Sequence, residues 1–368
     1  MKVICSKENL LEGINIVQKA VSNKSTMQIL EGILLEARDS SFKLTGNDLE
    51  IAIECIVEAD IREEGTIVIN SKVLGEIVRR LPNSETLIEV KNSELVIIEC
   101  ENSHFEIKGL SPAGYPAIPT IDKENTLLIK QKTVRDMIRE TVFAVGIDDN
   151  RLILTGSLIE CKSDEISFVA IDGFRLALRK NRLDKKTDDF SVIVPGKTLN
   201  EIVKIVQPVE DEMSIFASRS QIMFDLGKVK IVSRLIEGEY LNYKNIIPKE
   251  HETKVLINTK EFLSSLERAS LITSEEKKYP VKFSIKDDKL IISSSTEIGA
   301  VREEIRIEMT GNNMDIGFNP RYFIEALKVI EDENVYMYFT SNIGPSTIRP
   351  IDNEEYAYMV LPVRLKSE

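Results

Sequence analysis

Residues 66–82 read TIVINSKVLGEIVRRLP, and the same design returns at 191–208, SVIVPGKTLNEIVKIVQP, and at 314–330, MDIGFNPRYFIEALKVI. Each copy is an apolar run, then Lys72, Lys197 or Arg321, then a stretch whose apolar residues fall at i, i+3, i+4 and i+7. Those residues are Leu74, Ile77, Val78 and Leu81; Leu199, Ile202, Val203 and Val206; and Phe323, Ala326, Leu327 and Ile330. The spacing is even, since 199 − 74 = 125 and 323 − 199 = 124. Three similar domains therefore tile the 368 residues, the signature of an internal repeat.

A second pattern lies inside the first. Five positions after each leading apolar residue stands a base: Arg79, Lys204 and Lys328. At about 100° per residue these positions, and the bases two before the leading residue, fall roughly opposite the apolar stripe. The pattern predicts one helix per repeat with a core face and a positive face. An ordinary solvated surface accounts for one such helix, but three in register carry more weight in a chain of net charge −12, from 48 basic and 60 acidic residues. That balance opposes nucleic-acid binding unless charge is segregated, because phosphate neutralisation supplies most such affinity. The acidic runs at Arg62-Glu63-Glu64, Asp148-Asp149 and Glu354-Glu355 lie outside the three segments, as segregation requires.

Around each basic helix the reading is α+β. Opening helices are predicted over 9–21 (Leu10, Ile14, Val17, Val21), 133–145 (Val134, Ile138, Val142, Val145) and 261–273 (Phe262, Leu266, Ala269, Ile272), after polar caps such as Ser6 and Asn258. β-branched alternation predicts strands at 166–170, 222–232, 281–285, 290–293 and 335–340, with turns at Lys91-Asn92-Ser93, Lys286-Asp287-Asp288 and Gly311-Asn312-Asn313. Linkers rich in Pro and Gly run over 111–119 and 238–248, and match one another because 240 − 115 = 125 at their tyrosines. Domain limits at 1–123, 124–249 and 250–368 follow.

Composition is that of an ordinary globular protein, 42% hydrophobic and 29% charged. The start, Met-Lys-Val-Ile-Cys-Ser, lacks the long apolar run of a signal peptide, so a cytoplasmic protein is expected. Cys5, Cys55, Cys100 and Cys161 lack the spacing of a zinc site, and with only His104 and His251 present no metal and no cofactor is expected. Gly196-Lys197-Thr198 resembles the end of a phosphate-binding loop, but position 191 is Ser where the motif needs Gly. Asp48 and Asp172 hold equivalent places, 172 − 48 = 124, and read better as turn caps than as a catalytic pair, since the third copy has Ser293-Ser294-Ser295-Thr296 there. No active site emerges.

The three repeats, the segment Val169-Ala170-Ile171-Asp172-Gly173-Phe174-Arg175-Leu176-Ala177 and the segment Met359-Val360-Leu361-Pro362-Val363-Arg364-Leu365 together resemble the bacterial DNA polymerase III beta subunit family, the sliding clamps. The resemblance covers essentially the full length. It implies three clamp-type domains, each with helices on one face and antiparallel sheets on the other, in a head-to-tail dimer that closes as a six-domain ring around duplex DNA. It implies a non-catalytic processivity factor. Lys24, Lys72, Arg79, Lys197, Lys204, Arg321 and Lys328 would then face DNA, with Gly196 standing where relatives can carry arginine. A hydrophobic cleft for short peptide motifs of the replicative polymerase, the clamp loader and repair proteins is implied at Leu154, Ile171, Gly173, Phe174, Arg175, Leu176, Leu241, Ile246, Ile343, Leu361, Pro362, Val363 and Arg364. Leu241 replaces a common proline and Asn245 a common arginine, so the rim departs from the family pattern. The dimer contact would join Phe105 and Ile107 to Leu271 and Ile272. Two other classes compete with the clamp: a phosphate-handling enzyme using Lys197 and Asp172, and a repeat scaffold that binds only proteins.

Overall fold

Among the described residues, six α-helices punctuate a chain made mostly of antiparallel strands: α1 Lys7–Val17, α2 Ser71–Arg80, α3 Gln131–Arg139, α4 Gly196–Ile202, α5 Thr259–Ser270 and α6 Pro320–Leu327. The computed structural model describes residues 1–22, 26–119, 121, 125–147, 149–273, 280–351 and 355–365. Helix starts follow local chemistry. The Ser6 hydroxyl accepts from the Asn9 amide at the head of α1, and the Asn70, Asn258 and Asn319 side chains do the same for α2, α5 and α6. Pro320 adds a residue whose missing amide costs nothing in a first turn.

Helix ends depart from the periodic reading. The expected helix over 133–145 is α only to Arg139, because the Thr141 hydroxyl turns back to the Met137 carbonyl at 2.7 Å and a separate 3₁₀ turn, Val142–Ala144, follows. The helix read over 9–21 likewise ends at Val17 and continues as a 3₁₀ turn, Gln18–Ala20, while α5 stops at Ser270. The strand expected over 222–232 is a hairpin of Gln221–Asp225 and Val229–Arg234. Gly227, at φ +83°, makes the turn, and the Asp225 carboxylate accepts its amide at 2.9 Å. The predicted turns form with left-handed residues at Asn92, Ser93, Asp287, Asp288 and Gly311.

The chain packs as two units, Met1–Lys132 with Glu201–Leu235 and Thr133–Asn200 with Ile236–Glu368, so the second repeat contributes to both. In the first unit an eight-stranded sheet carries four strands of the first repeat and four of the second. Its junction pairs Ile51–Val57 with Val229–Arg234, Ile53 opposite Ile231. In the second unit a nine-stranded sheet carries four strands of the second repeat and five of the third, joined where Ala177 faces Tyr358. Each unit also holds a smaller sheet: five strands ending in Ser103–Lys108 in the first, four ending in Gly299–Arg306 in the second.

Cores follow the alternation. In the second unit Phe262, Phe283, Phe318 and Phe323 are fully buried with ring centroids 5.0–5.9 Å apart. Burying each contributes about 1.5–3 kcal/mol, and aromatic pairing adds about 0.5–1.5 kcal/mol per pair. All four cysteines are buried and free. Burial pushes the Cys5 thiol up to about 12, so it stays protonated and inert.

Candidate functional site

The apolar stripe of the repeated segment is buried at every position except Ile77 and Val203, which are half-buried. All six described bases opposite it are exposed: Lys72, Arg79, Lys197, Lys204, Arg321 and Lys328. Lys24 lies outside the described residues. Carboxylates are held by Arg79 (Glu76 at 2.7 Å), Lys204 (Glu201 at 2.8 Å), Arg321 (Glu325 at 2.6 Å) and Lys328 (Glu267 at 3.0 Å). Exposed pairs of this kind are worth about 0–1 kcal/mol, so a polyanion exchanges for them at little cost. In the second repeat α4 ends at Ile202, and Lys204 sits in a 3₁₀-like turn whose amide bonds the Glu201 carbonyl at 3.2 Å. The run Val203, Lys204, Ile205, Val206 before Pro208 is a poor continuation for a helix.

The other candidate site lies wholly in the second unit. The Asp172 carboxylate accepts from the Phe174 and Arg175 amides at 2.8 and 3.1 Å, and Gly173 takes φ +96°. The turn leaves Phe174 56% exposed while Arg175 is buried. The Arg175 guanidinium bonds Asp172 at 2.9 Å, Glu325, and the Phe143 carbonyl at 2.7 Å, and lies 4.7 Å from the Tyr322 ring centre. Burial works against its charge, but Tyr358, Glu325 and Asp172 outweigh that and hold its pKa above the ordinary arginine value. Phe174 stacks on Tyr322 at 6.4 Å.

Leu154, Ile171 and Leu176 are buried in one cluster with Met359. Around them Leu241, Ile246, Leu361 and Val363 are each more than a third exposed, Pro362 is half-buried, and Arg364 and Ile343 are exposed, Ile343 at 82% on the loop after Ser341. The Leu361 amide donates to the Phe174 carbonyl and the Val363 amide to the Gly317 carbonyl, both at 2.8 Å, which ties down the C-terminal segment. The Tyr240 hydroxyl reaches the Gly156 and Val169 carbonyls at 3.3 Å and fixes the linker that carries Leu241 and Ile246. An apolar surface with a few fixed polar groups is what a short peptide motif needs.

Two residues of this surface escaped the sequence reading. Tyr322 forms a wall between Phe174 and Arg175, and Arg151 lies over the turn, its Nη1 3.1 Å from where a side chain on Gly173 would begin. Tyr322 had a legible signal: it is the aromatic at a repeat position that holds Val73 and Thr198 in the other copies. Asp48 and Asp172 are both turn caps, Asp48 accepting from the Glu50 and Ile51 amides at 3.0 and 2.8 Å. Among the described residues no cluster of three acidic, histidine or cysteine side chains could hold a metal.

The expected dimer residues occupy sheet and helix ends. Phe105, 37% exposed, and half-buried Ile107 lie on Ser103–Lys108, the edge of the five-stranded sheet. Leu271, 76% exposed, and Ile272 follow α5 in the second unit.

Family models for the N-terminal, central and C-terminal domains of the DNA polymerase III beta subunit match residues 1–119, 128–242 and 244–364. The chain belongs to the DNA polymerase III beta subunit family. The beta sliding clamp of Bacillus subtilis (strain 168) is 36% identical over 99% of this chain and all of its own length. The crystal structure of a putative DNA polymerase III beta subunit from Eubacterium rectale is 38% identical, covers 100% of both chains and superposes with a TM-score of 0.94. The sliding clamp structure from Bacillus subtilis covers 99% of each chain at a TM-score of 0.95. As a beta subunit the chain is a non-catalytic processivity factor of DNA polymerase III, built from three clamp domains. Among the described residues no helix is long and apolar enough to cross a membrane.

Proposed function

We propose that two copies of this chain close head to tail into a ring of six domains around duplex DNA, and that the cleft of the second unit tethers the polymerase, the clamp loader and repair proteins through short peptide motifs. The observation that carries the reading is the count of sheet edges. At both internal junctions a strand of one repeat pairs with a strand of the next, Ile53 with Ile231 and Ala177 with Tyr358. Counting by the repeat, 177 − 53 = 124 and 301 − 177 = 124 lead to Val301 on the edge strand Gly299–Arg306, while 231 − 124 = 107 leads to Ile107 on the edge strand Ser103–Lys108. Each chain thus keeps one half of a third junction at either end. Edges that carry apolar residues invite pairing. A head-to-tail contact that closes on itself avoids filament growth. Phe105 and Ile107 with Leu271 and Ile272 form that contact.

Lys24, Lys72, Arg79, Lys197, Lys204, Arg321 and Lys328 face the DNA phosphates without reading sequence, which suits a track held by topology. The peptide cleft joins the Asp172 turn, the linker residues Leu241 and Ile246 and the segment ending at Arg364, with Tyr322 and Arg151 added. The domains run 1–123, 124–249 and 250–368, and the ring works in the cytoplasm. The phosphate-handling alternative loses its base, because the Asp172 carboxylate is already engaged by two amides and Arg175.

The test is retention on nicked circular DNA after addition of a cognate loader and ATP, followed by linearisation with a restriction enzyme. Retention that disappears on cutting is the expected result. Retention that survives cutting, or no retention with an active loader, overturns encirclement.

A further inference from the structure

The second unit holds another concavity, a cleft of 430 Å³ between residues 244–251 and the sheet strands Asn334–Phe339 and Ser346–Pro350. On these strands Val335, Met337, Phe339 and Ile348 go to the core, so Tyr338, Thr347 and Arg349 are left to the opposite face. Arg349 pairs across the sheet with Tyr336, and Tyr338 with Thr347. The lining carries Lys244, Lys249 and Arg349, and the His251 ring meets Tyr338 edge-on at 4.8 Å. Outside the lining, the Lys254 ammonium lies 3.6 Å from the Tyr336 ring centre.

What these cations lack is as informative as where they lie. Lys244 is satisfied by Glu160 at 3.0 Å. Among the described residues neither Lys249 nor Arg349 holds a carboxylate. Among the described residues Glu250 is the one acid on the wall of the cleft. Arg349 is half-buried on the strand Ser346–Pro350. A guanidinium, an ammonium and a threonine lining one cleft suit an oxyanion of more than one charge. The size is that of a small-molecule site.

We propose that this cleft binds a phosphorylated small molecule, with Arg349 and Lys249 on the phosphoryl oxygens and Tyr338 beside any organic part. None of its lining residues belongs to the peptide surface or the basic helix faces as assigned above, although Ile247 packs against the cluster of Leu154 and Leu176 beneath the peptide surface.

The experiment is calorimetric titration of the full chain with inorganic pyrophosphate and with adenosine diphosphate, at low and at physiological salt. Both are expected to bind, and Arg349→Gln and Lys249→Gln each to weaken binding roughly tenfold. Tighter binding of the nucleotide, lost in Tyr338→Leu, assigns the aromatic wall to the organic part; equal binding assigns recognition to the phosphoryl group alone. Lys249 is exposed, so its variant keeps the fold and separates loss of ligand from loss of structure. Absence of heat with both ligands at millimolar concentration, or binding unchanged in both variants, overturns the proposal.

Discussion

The turn at 47–52 in the first unit and the turn at 171–176 in the second are the same piece of chain, 172 − 48 = 124 residues apart at their aspartates, put to different uses. Asp48 and Asp172 each cap two amides, and a left-handed residue follows each, Leu49 at φ +76° and Gly173 at φ +96°. Both linkers are tied by a tyrosine hydroxyl to a sheet carbonyl, Tyr115 to Thr45 at 3.0 Å and Tyr240 to Val169 at 3.3 Å. The side chains then diverge. Asn47 bonds the Pro116 carbonyl and Glu50 and Arg234 border a cleft of only 120 Å³, whereas Ile171, exposed Phe174 and buried Arg175 open an apolar surface. One backbone scaffold thus gives a closed groove or an open one according to three side chains.

The largest expected effect is at Arg175. Arg175→Ala leaves the Asp172 and Glu325 carboxylates and the Phe143 carbonyl without their shared donor, a change of about 3–5 kcal/mol for a broken buried pair. Ile51→Val, its counterpart in the first unit, removes one methyl group for about 0.5–1.5 kcal/mol. Denaturant midpoints of the two variants should differ accordingly, with binding of a polymerase-motif peptide lost only in the first. Equal midpoints, or peptide binding intact in Arg175→Ala, would break the contrast.

The second difference is electrostatic. Glu140, after α3, lies 2.9 Å from Arg179, while the repeat spacing of 124 puts Ile16 and Cys55 at these places in the first unit. Burial pushes the Glu140 carboxyl up to about 7, only partly opposed by Arg179, with Asp136 adding to the rise. Between pH 4.5, the ordinary value, and about 7 the folded protein keeps a proton that the unfolded chain has released. Stability from this group is therefore complete below pH 4.5 and is lost as pH rises through about 7, by at most on the order of 3 kcal/mol. Midpoints measured from pH 5 to 8 should fall in the native chain and flatten in Glu140→Gln; parallel profiles would sink the assignment.

Much of the fold was legible in the sequence where spacing alone decides the outcome. The repeated stripe, the caps at Ser6 and Asn258 and the aspartate turns all rest on contacts a few residues apart. The pairing of Arg79 with Glu76, Lys204 with Glu201 and Arg321 with Glu325 has helix spacing and is legible in the same way, whereas Lys328 finds Glu267 on another helix, which no spacing reveals. The hairpin at Gly227 hid inside a β-branched run, and the ending of α3 depended on a threonine hydroxyl that competes for a carbonyl. Membership of the peptide surface was legible only through family resemblance, because Leu154 and Leu176 are, by pattern, ordinary core residues.

The smallest effect is the sharpest test of equivalence, because it concerns backbone alone. Leu49 carries left-handed strain of roughly 1–2 kcal/mol that Gly173 does not. Leu49→Gly relieves that strain but frees the unfolded chain by about 0.5–1 kcal/mol, leaving a gain of a few tenths to about 1 kcal/mol. Gly173→Ala imposes the strain and sets a new carbon 3.1 Å from Arg151 Nη1, a flexible end that can move aside, so the loss is about 1–2 kcal/mol. The two midpoints should therefore shift in opposite directions. If both fall, the covered part of the Leu49 side chain, which is 42% exposed, makes contacts worth more than the strain, and the two turns are alike in path but not in energy.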